Sequence, residues 1–507
     1  MRQSPPVDQQ HRAILQSLAL KAMTARGLLP DFSPAVVAEL EKIQALVSAS
    51  VARIGDSSGV ADLTDLSWAS IDNDDSRDLD QLTVAEALSA DKVKVLVAVA
   101  DVDALVTIGS AIDAYARYNT TSVYTAAKIF PMLPEKLSTD LTSFSFDSDR
   151  LAVVVEMVIG MDGSMQGSDI YCARVRNHAK LAYNSVATWL GGRGEVPEEI
   201  AAVSGLAENL RLQDRVAQGL KNFRHLHGAL SLETIEAKPV FDGDQIRALE
   251  VEQDNRAKEI IEDFMIAANG VTARYLDARS FPSIRRVVRT PRRWDRIAEL
   301  ARERSFRLPD NPDSAALNTF LVREKTVDPL QFPDLSLSVI KLLGAGEYVA
   351  EQPGGTVAGH FGLAVKDYSH STAPNRRYAD LVTQRLLKSA IAGRLTPYSY
   401  VELKALAKHL TEQEDAANKV ERQVGKSAAA LLLESRVGEQ FDAIVTGASD
   451  KGTWARLLTV PVDGRVVSGS RGVDVGSRIR VRLTAVDVER GYIDFQRVDV
   501  QPLVRPA

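Results

Sequence analysis

The sequence predicts a multi-domain fold. A small α-helical N-terminal domain (residues 1–60) precedes a large mixed α/β domain (61–430) and a C-terminal β-barrel of the OB type (438–500). Three observations predict it. Two helix-patterned segments open the chain, punctuated by Gly27 and Pro30. A long stretch then mixes strand-like and helix-like runs without a regular strand–helix repeat. Beyond residue 438 short β-rich pieces recur with glycines between them.

Residues 8–26 have few helix breakers and apolar spacing that fits a helix, which Gly27 and Pro30 end. Ser33 followed by Pro34 reads as a cap and a proline in the first turn, starting a second helix that runs to about residue 48. Two helices joined by a short turn are compatible with a helix-turn-helix, and equally with a helical pair docked on the next domain. In the large domain, Lys94–Asp101 and Leu151–Ile159 read as strands. Val203–Arg224, Asn255–Leu276, Asn375–Ala392 and Tyr398–Lys419 read as helices. The absence of regular βαβ alternation argues against a doubly wound parallel sheet. In the tail, Phe441–Thr446, Trp454–Val460, Arg465–Ser468, Arg478–Val486 and Tyr492–Phe495 read as five short strands, which suits a small barrel. Trp454 and Arg456 share one face of their strand, with Lys451 near; such a face suits base stacking and phosphate attraction. A plain barrel with a partly buried Trp is the alternative.

Apolar residues make up 45% and charged residues 25% of the 507, ordinary for a globular protein. The single cysteine, Cys172, excludes an internal disulfide and fits a reducing compartment. Met1–Arg12 does not read as a signal peptide, and no apolar window reaches the ~20 residues that span a bilayer. A cytoplasmic protein without a membrane anchor is expected. The net charge of −6 argues against general coating of nucleic acid, but leaves room for a local basic channel. Residues 285–307 hold nine arginines against Asp295, Glu299 and Glu303, and are one candidate for such a channel.

The segment 62–80 carries seven aspartates (62, 65, 72, 74, 75, 78, 80) opposed only by Arg77. Such a run is either a solvated acidic loop or a site for a divalent cation. Asp78 and Asp80, two apart, share a face in an extended segment; Asp72 joins them only if the loop folds over. A calcium EF-hand fits poorly, since Arg77 and Thr83 stand where that loop has Gly and Glu. A second constellation is His360–Leu363 with Tyr368–Asp380. Pro374 reads as the first helical position, which puts Arg376 and Arg377 in the first turn. That is an unfavourable place for cations unless an anion docks there or Asp380 pairs with them. A third is Ile260–Asn269, where Glu262 lies at the edge of an apolar helix face and reads as structural or functional. Val424-Gly425-Lys426-Ser427 looks like the end of a P-loop but lacks the upstream glycine and strand. His225 and His227 lack metal-site company.

These segments together resemble the ribonuclease II / ribonuclease R family of exoribonucleases over roughly residues 61–497. The match includes Ile71–Gln81, Val97–Val102, Pro131–Ser138, Ala179–Tyr183, Glu262–Asn269 and His360–Asp380, in that order. The resemblance implies a ribonuclease II-type catalytic domain followed by an S1-type OB domain. It implies processive hydrolysis of RNA from the 3′ end to nucleoside 5′-monophosphates with Mg²⁺, for which Mn²⁺ can substitute. Single-stranded RNA is the implied partner, with structured RNA also open, and a monomer is expected. By motif, Asp72, Asp78 and Asp80 become the acidic metal-site residues, Asp80 the most sensitive, holding a metal and its attacking water. Arg376 aligns with the arginine that grips the scissile phosphate region, with Arg377 beside it as a substrate contact. Tyr124 aligns with an aromatic that stacks on the 3′-terminal base. Tyr183 and Glu262 align with positions that hold the end nucleotide and sense its ribose.

Three departures stand out. The family usually has an aspartate where this chain has Gln81; an amide oxygen can ligate Mg²⁺ but brings no charge. The aromatic clamp expected after Gly228-Ala229-Leu230 is Leu232. About 60 residues precede the catalytic domain, too few for a pair of cold-shock domains. Gln81 also keeps a rival open, a catalytically weakened RNA-binding homologue; a DNA-binding regulator rests only on the helix-turn-helix reading. From sequence, Gln81→Asp is expected to lower the Mg²⁺ concentration needed for activity; an unchanged or raised requirement counts against Gln81 lying near the metal.

Overall fold

The structure is a computed structural model and describes residues 11–50, 59–235, 237–251, 255–356, 358–449, 452–473 and 475–498. Helix α1 (His11–Ala25) stops before Gly27, and α2 (Pro34–Ser50) starts behind Ser33, whose Oγ accepts from Val36 N–H at 3.4 Å. Strands β1 (Ala61–Asp62), β2 (Ala69–Asp72), β3 (Gln81–Ala87) and β4 (Lys92–Ala100) follow. Helix α3 (Ala111–Asn119) and the hairpin β5 (Val123–Tyr124) and β6 (Ile129–Phe130) lead to β7 (Asp149–Gly160), β8 (Met165–Arg176) and β9 (Ala179–Ala182). Next come α4 (Tyr183–Leu190), α5 (Glu198–Ala201), α6 (Leu206–Leu226), and the hairpin β10 (Ala237–Asp242) and β11 (Gln245–Val251). Helix α7 (Arg256–Ala278) and β12 (Ser283–Val287) precede α8 (Trp294–Glu303), α9 (Ser314–Val327), α10 (Phe332–Leu343) and β13 (Glu347–Glu351). Helices α11 (Tyr378–Ile391) and α12 (Tyr400–Leu433) complete the large unit. The tail is β14 (Gln440–Ser449), β15 (Gly452–Leu457), β16 (Asp463–Ser468), β17 (Arg478–Asp487) and β18 (Tyr492–Arg497).

The main sheet has seven strands in the order β1-β8-β7-β4-β3-β2-β9. Most neighbours are antiparallel, and only β1–β8 and β2–β9 run parallel. Strand alternation explains how both faces are buried. Val93, Val95, Val97 and Val99 of β4 face a helix-covered core with Phe264 and Leu386, while Leu96, Ala98 and Ala100 face Trp68 and Phe144. Each such valine or leucine contributes roughly 1.5–3 kcal/mol by burial. Because β2 and β3 are sheet neighbours, the aspartate-rich loop between them is pinned at both ends.

The N-terminal helices do not build a core of their own. Leu15, Ala19 and Met23 of α1 pack with Val420 and Val424 of α12, and Val36 and Ile43 of α2 join the main core. The docked pair is therefore the arrangement observed, not a free-standing helix-turn-helix. Helix α12 begins with a capping box, Ser399 and Glu402, and runs 34 residues, well past the expected end at Lys419. It spans about 50 Å at 1.5 Å per residue.

The tail closes into a five-stranded barrel, β14-β15-β16-β18-β17. Ala455 and Leu457 are buried inside it, and Trp454 is 37% exposed. Lys451 lies outside the described residues. Arg456 departs from the expected nucleic-acid face. It is buried, with Nη1 3.0 Å from Asp334 Oδ1 of α10 and Nε 3.3 Å from Asp463 Oδ2, so it ties the barrel to the large unit. Of the nine arginines in 285–307, five are engaged in ion pairs. Arg285 is buried against Glu351 at 2.5 Å, Arg286 meets Glu414 at 2.5 Å, and Arg289, Arg296 and Arg304 pair with Glu347, Glu299 and Glu324.

The barrel clamp generates a prediction. Arg456→Leu leaves Asp334 buried without its cation and should cost about 3 kcal/mol, read as a lower urea midpoint. Adding Asp334→Leu should recover most of it; equal midpoints for the single variant and the parent would contradict the clamp.

Candidate active site

Asp80 sits just before β3 and is 2% exposed. Its backbone carbonyl accepts from Ala100 N–H at 3.0 Å, and its Oδ1 accepts from Asn375 N–H at 3.1 Å. The preceding residue is fixed too: Leu79 N–H donates to Ser143 Oγ at 3.0 Å, and Ser143 Oγ donates to the Arg77 carbonyl at 2.7 Å. Thr142 Oγ1 donates to Asn375 Oδ1 at 2.6 Å, joining the same segments from the other side. Arg376 Nε lies 3.4 Å from Asp80 Oδ2. Two buried polar atoms here have no hydrogen-bond partner among the described residues, Asp80 Oδ2 and Asn375 Nδ2. Burial pushes the Asp80 carboxyl up to about 7; the Arg376 guanidinium opposes the shift and the Asp78 carboxylate adds to it.

The arginine segment differs from its sequence reading. Helix α11 starts at Tyr378, not at Pro374, and Arg377 is its extended cap residue (φ −135°, ψ 123°). The reason is backbone pairing: Ser122 N–H donates to the Arg376 carbonyl at 2.9 Å, and Tyr378 N–H to the Thr120 carbonyl at 2.8 Å. This pairing holds residues 376 and 377 out of the helix. It also separates the two arginines. Arg377 forms a bidentate pair with Asp380, both contacts 2.8 Å, and Asp380 Oδ1 also accepts from Ala373 N–H at 2.9 Å. Arg377 therefore braces the turn rather than offering a substrate contact, while the half-exposed Arg376 is aimed at Asp80.

Asp78 accepts from the Tyr124 hydroxyl at 3.2 Å, and Tyr124 N–H donates to Glu421 Oε1 of α12 at 2.7 Å. Burial and then the Asp78 charge raise the Tyr124 hydroxyl's pKa, so it stays protonated and donates. Asp72 turns into its own loop, accepting from Asn73 N–H at 2.7 Å and Ser76 Oγ at 3.0 Å. The structure thus brings Asp78 and Asp80 together with Tyr124 and Arg376. Among the described residues it gathers no group of three or more acidic, His or Cys side chains around one point. A magnesium site needs only one or two carboxylates plus substrate phosphate oxygens. The unpartnered Asp80 Oδ2, with Asp78 beside it, fits that donor set.

Gln81 is not arranged as an oxygen ligand. Its amide nitrogen donates to the Thr372 carbonyl, which can only accept. The contact ties the start of β3 to the segment carrying Asn375 and Arg376. A carboxylate in its place would face that carbonyl, so Gln81→Asp first breaks a tether.

A cavity of about 1040 Å³ opens at Asp78, Tyr124 and Asn375 and runs along α12, past Arg422 and Lys426, to Val462 and Ile493 of the barrel. Asp80, bonded to Asn375, lies behind its inner end. The remaining predicted residues stand elsewhere. Tyr183 opens α4 and is partly buried against Ile71 and Leu181, and Glu262 is exposed on α7; neither lines the cavity. Leu232 packs on the core of α8, α9 and α10, so no clamp stands there. His225 and His227 bond the carbonyls of Ala229 and Phe223 through Nδ1, as structural histidines do. Sequence reasoning missed Asn375 and Ser143. Asn375 lay inside a recognised motif without a role, and nothing local marks Ser143, whose partners are 64 and 66 residues away.

The RNB domain model matches residues 60–393, and the RNase II-type exonuclease C-terminal S1 domain model matches residues 439–498. Ribonuclease R of Vibrio cholerae serotype O1 is 30% identical over 487 residues, covering 88% of this chain and 58% of the relative. The chain thus spans less than two thirds of that relative's length. Mycoplasma genitalium RNase R, solved with ribose-methylated single-stranded RNA, superposes with a TM-score of 0.84 at 21% identity, covering 97% of this chain and 78% of that one. Yeast Ssd1, described as a pseudonuclease, superposes with a TM-score of 0.65 at 16% identity, over 80% of this chain and 50% of that one. At these identities the superpositions show a shared fold.

The Gln81 tether generates a prediction independent of activity. Gln81→Leu leaves the Thr372 carbonyl unpaired, at a cost of about 1–3 kcal/mol. Hydrogen exchange should quicken in residues 370–377 and stay unchanged in the barrel; unchanged exchange at 370–377 would remove Gln81 from this role.

Proposed function

The chain belongs to the RNB-domain family, and from that premise we propose that it is a processive 3′→5′ exoribonuclease releasing nucleoside 5′-monophosphates. The observation that carries the reading is Asp80: a buried carboxylate with one oxygen that has no hydrogen bond and faces Arg376, next to Asp78 and Asn375, which line a long cavity. The cavity's volume, about 1040 Å³, lies at the upper end of small-molecule sites and suits a strand several nucleotides long.

In this reading Asp80 and Asp78 hold Mg²⁺, or Mn²⁺ in its place; the bound ion supplies activation of water and neutralisation of charge building on the phosphate. Arg376 binds the phosphate beside the scissile bond, donating from a position held by the Thr120–Ser122 pairing. That fixed geometry requires little reorganisation as negative charge develops. Asn375 offers its unpartnered Nδ2 as a further donor at the same end. Tyr124, anchored by Glu421 and Asp78, presents its ring at the cavity wall for the terminal base.

The rival is an RNA-binding homologue with little or no catalysis. Two observations favour it: the fold is shared with a described pseudonuclease, and the expected three-aspartate gathering is not seen among the described residues. End-labelled single-stranded RNA with Mg²⁺ or Mn²⁺ separates the readings. Release of nucleoside monophosphates supports the exonuclease; binding without cleavage in either metal selects the rival. Asp80→Asn should lower turnover by at least on the order of 10²-fold while RNA affinity stays within about threefold. Near-parental hydrolysis by Asp80→Asn would remove Asp80 from the metal assignment.

A further inference from the structure

Five of the nine arginines in 285–307 are paired, and a second concentration of positive charge lies along α12. Lys419, Arg422 and Lys426 follow one another along α12 at helical spacing, all exposed, and none has an ion-pair partner among the described residues. Two other parts of the chain bring cations to the same place. The turn just past α1 contributes Arg26, and the turn between β17 and β18 contributes Arg490, followed by Tyr492 at 59% exposure. Together these six residues line a second cavity of about 660 Å³. Among the described residues the only carboxylate lining it is Glu489, which lies 3.5 Å from Lys21. Arg490 is itself only loosely held, 3.9 Å from Asp487.

The groove is built rather than accidental. Gly491 takes a positive φ of +65°, and a Cβ added there would come within 2.6 Å of Lys426 Cβ. The barrel turn is therefore seated directly on α12, fixing Arg490 and Tyr492 against the helix. Arg422 and Lys426 line both this groove and the catalytic cavity, so the two adjoin along α12. Five cations in one concavity repel each other unless a polyanion lies among them, and an exposed aromatic beside them offers a stacking surface for a base.

We propose that this groove, walled by α1, α12 and the β17–β18 turn, is the path by which single-stranded RNA reaches the catalytic cavity. Its cations hold phosphates on the 5′ side of the nucleotides being processed, and Tyr492 stacks on one base. The proposal rests on the exoribonuclease reading and gives the N-terminal helix a part in RNA binding.

The test is the triple variant Arg26→Gln/Lys419→Gln/Arg490→Gln, which spares the two residues shared with the catalytic cavity. With an about 20-nucleotide unstructured RNA, the salt slope of binding should fall by about 2, and affinity at 0.1 M salt on the order of 10–100-fold. Turnover of a tetranucleotide, too short to leave the catalytic cavity, should stay within about twofold. Unchanged affinity and slope for the long RNA, or an equal loss on the tetranucleotide, overturns the proposal. If the parent cleaves RNA and the variant matches it, the groove alone fails. If the parent neither binds nor cleaves RNA, the function reading fails and this one with it.

Discussion

The contact on which the site depends is the one between Asp80 and Asn375, residues 295 positions apart. A buried carboxylate must be partnered or it protonates. Here one oxygen accepts a backbone N–H, the other faces Arg376 without a hydrogen bond, and the carboxyl is pushed up to about 7. That is an incomplete environment for an anion. A cation and a phosphate would complete it, and on that ground we read the arrangement as a site rather than as a structural pair such as Arg285 with Glu351. The neighbouring constraints all serve this contact. Ser143 and Thr142 hold the aspartate loop and Asn375, Gln81 ties β3 to Thr372, and the pairing of residues 120–122 with 376–378 aims Arg376.

Helix α12 carries that local geometry to the rest of the molecule. It supports Tyr124 through Glu421, receives α1 on one side and underlies the barrel at its far end. The barrel is locked in place by a buried arginine, Arg456, reaching Asp334. Domains that share so few elements would otherwise move independently. The position of the β17–β18 turn relative to the active site is then a property of α12, and a groove shared between them is a consequence of the fold.

The barrel was legible in the sequence because strand alternation is local: Trp454 out, Ala455 in, Leu457 in register two residues on. Of the seven strands of the main sheet only two were read, as the apolar runs Lys94–Asp101 and Leu151–Ile159, and Asp78, Asp80 and Arg376 were singled out by the motifs that carry the family resemblance. What was not legible depended on long-range partners. Pro374 looked like a helix start, but pairing with residues 120–122 moved that start to Tyr378; the Asp380 pairing weighed from sequence is made by Arg377. Arg456 lay on the outward face of its strand as expected, yet its partner was a helix more than a hundred residues earlier. The arginine run looked like a channel until Glu324, Glu347, Glu351 and Glu414, outside the run, paired with four of its nine arginines. Gln81 read as a weakened ligand, whereas the structure turns its nitrogen toward a carbonyl. Charge and spacing reveal which residues can act; only tertiary contacts reveal which have been left free to act.

The central claim is that the Asp80 oxygen without a hydrogen bond, Oδ2, is a cation ligand. The most direct measurement is a crystal structure with Mn²⁺ and a short RNA, with the metal located by its anomalous signal. The account predicts a peak about 2.0–2.3 Å from Asp80 Oδ2, shared with a phosphate oxygen and with Arg376 on that phosphate. A fully occupied RNA end with no peak at Asp80, and Arg376 closed onto its carboxylate, would contradict it.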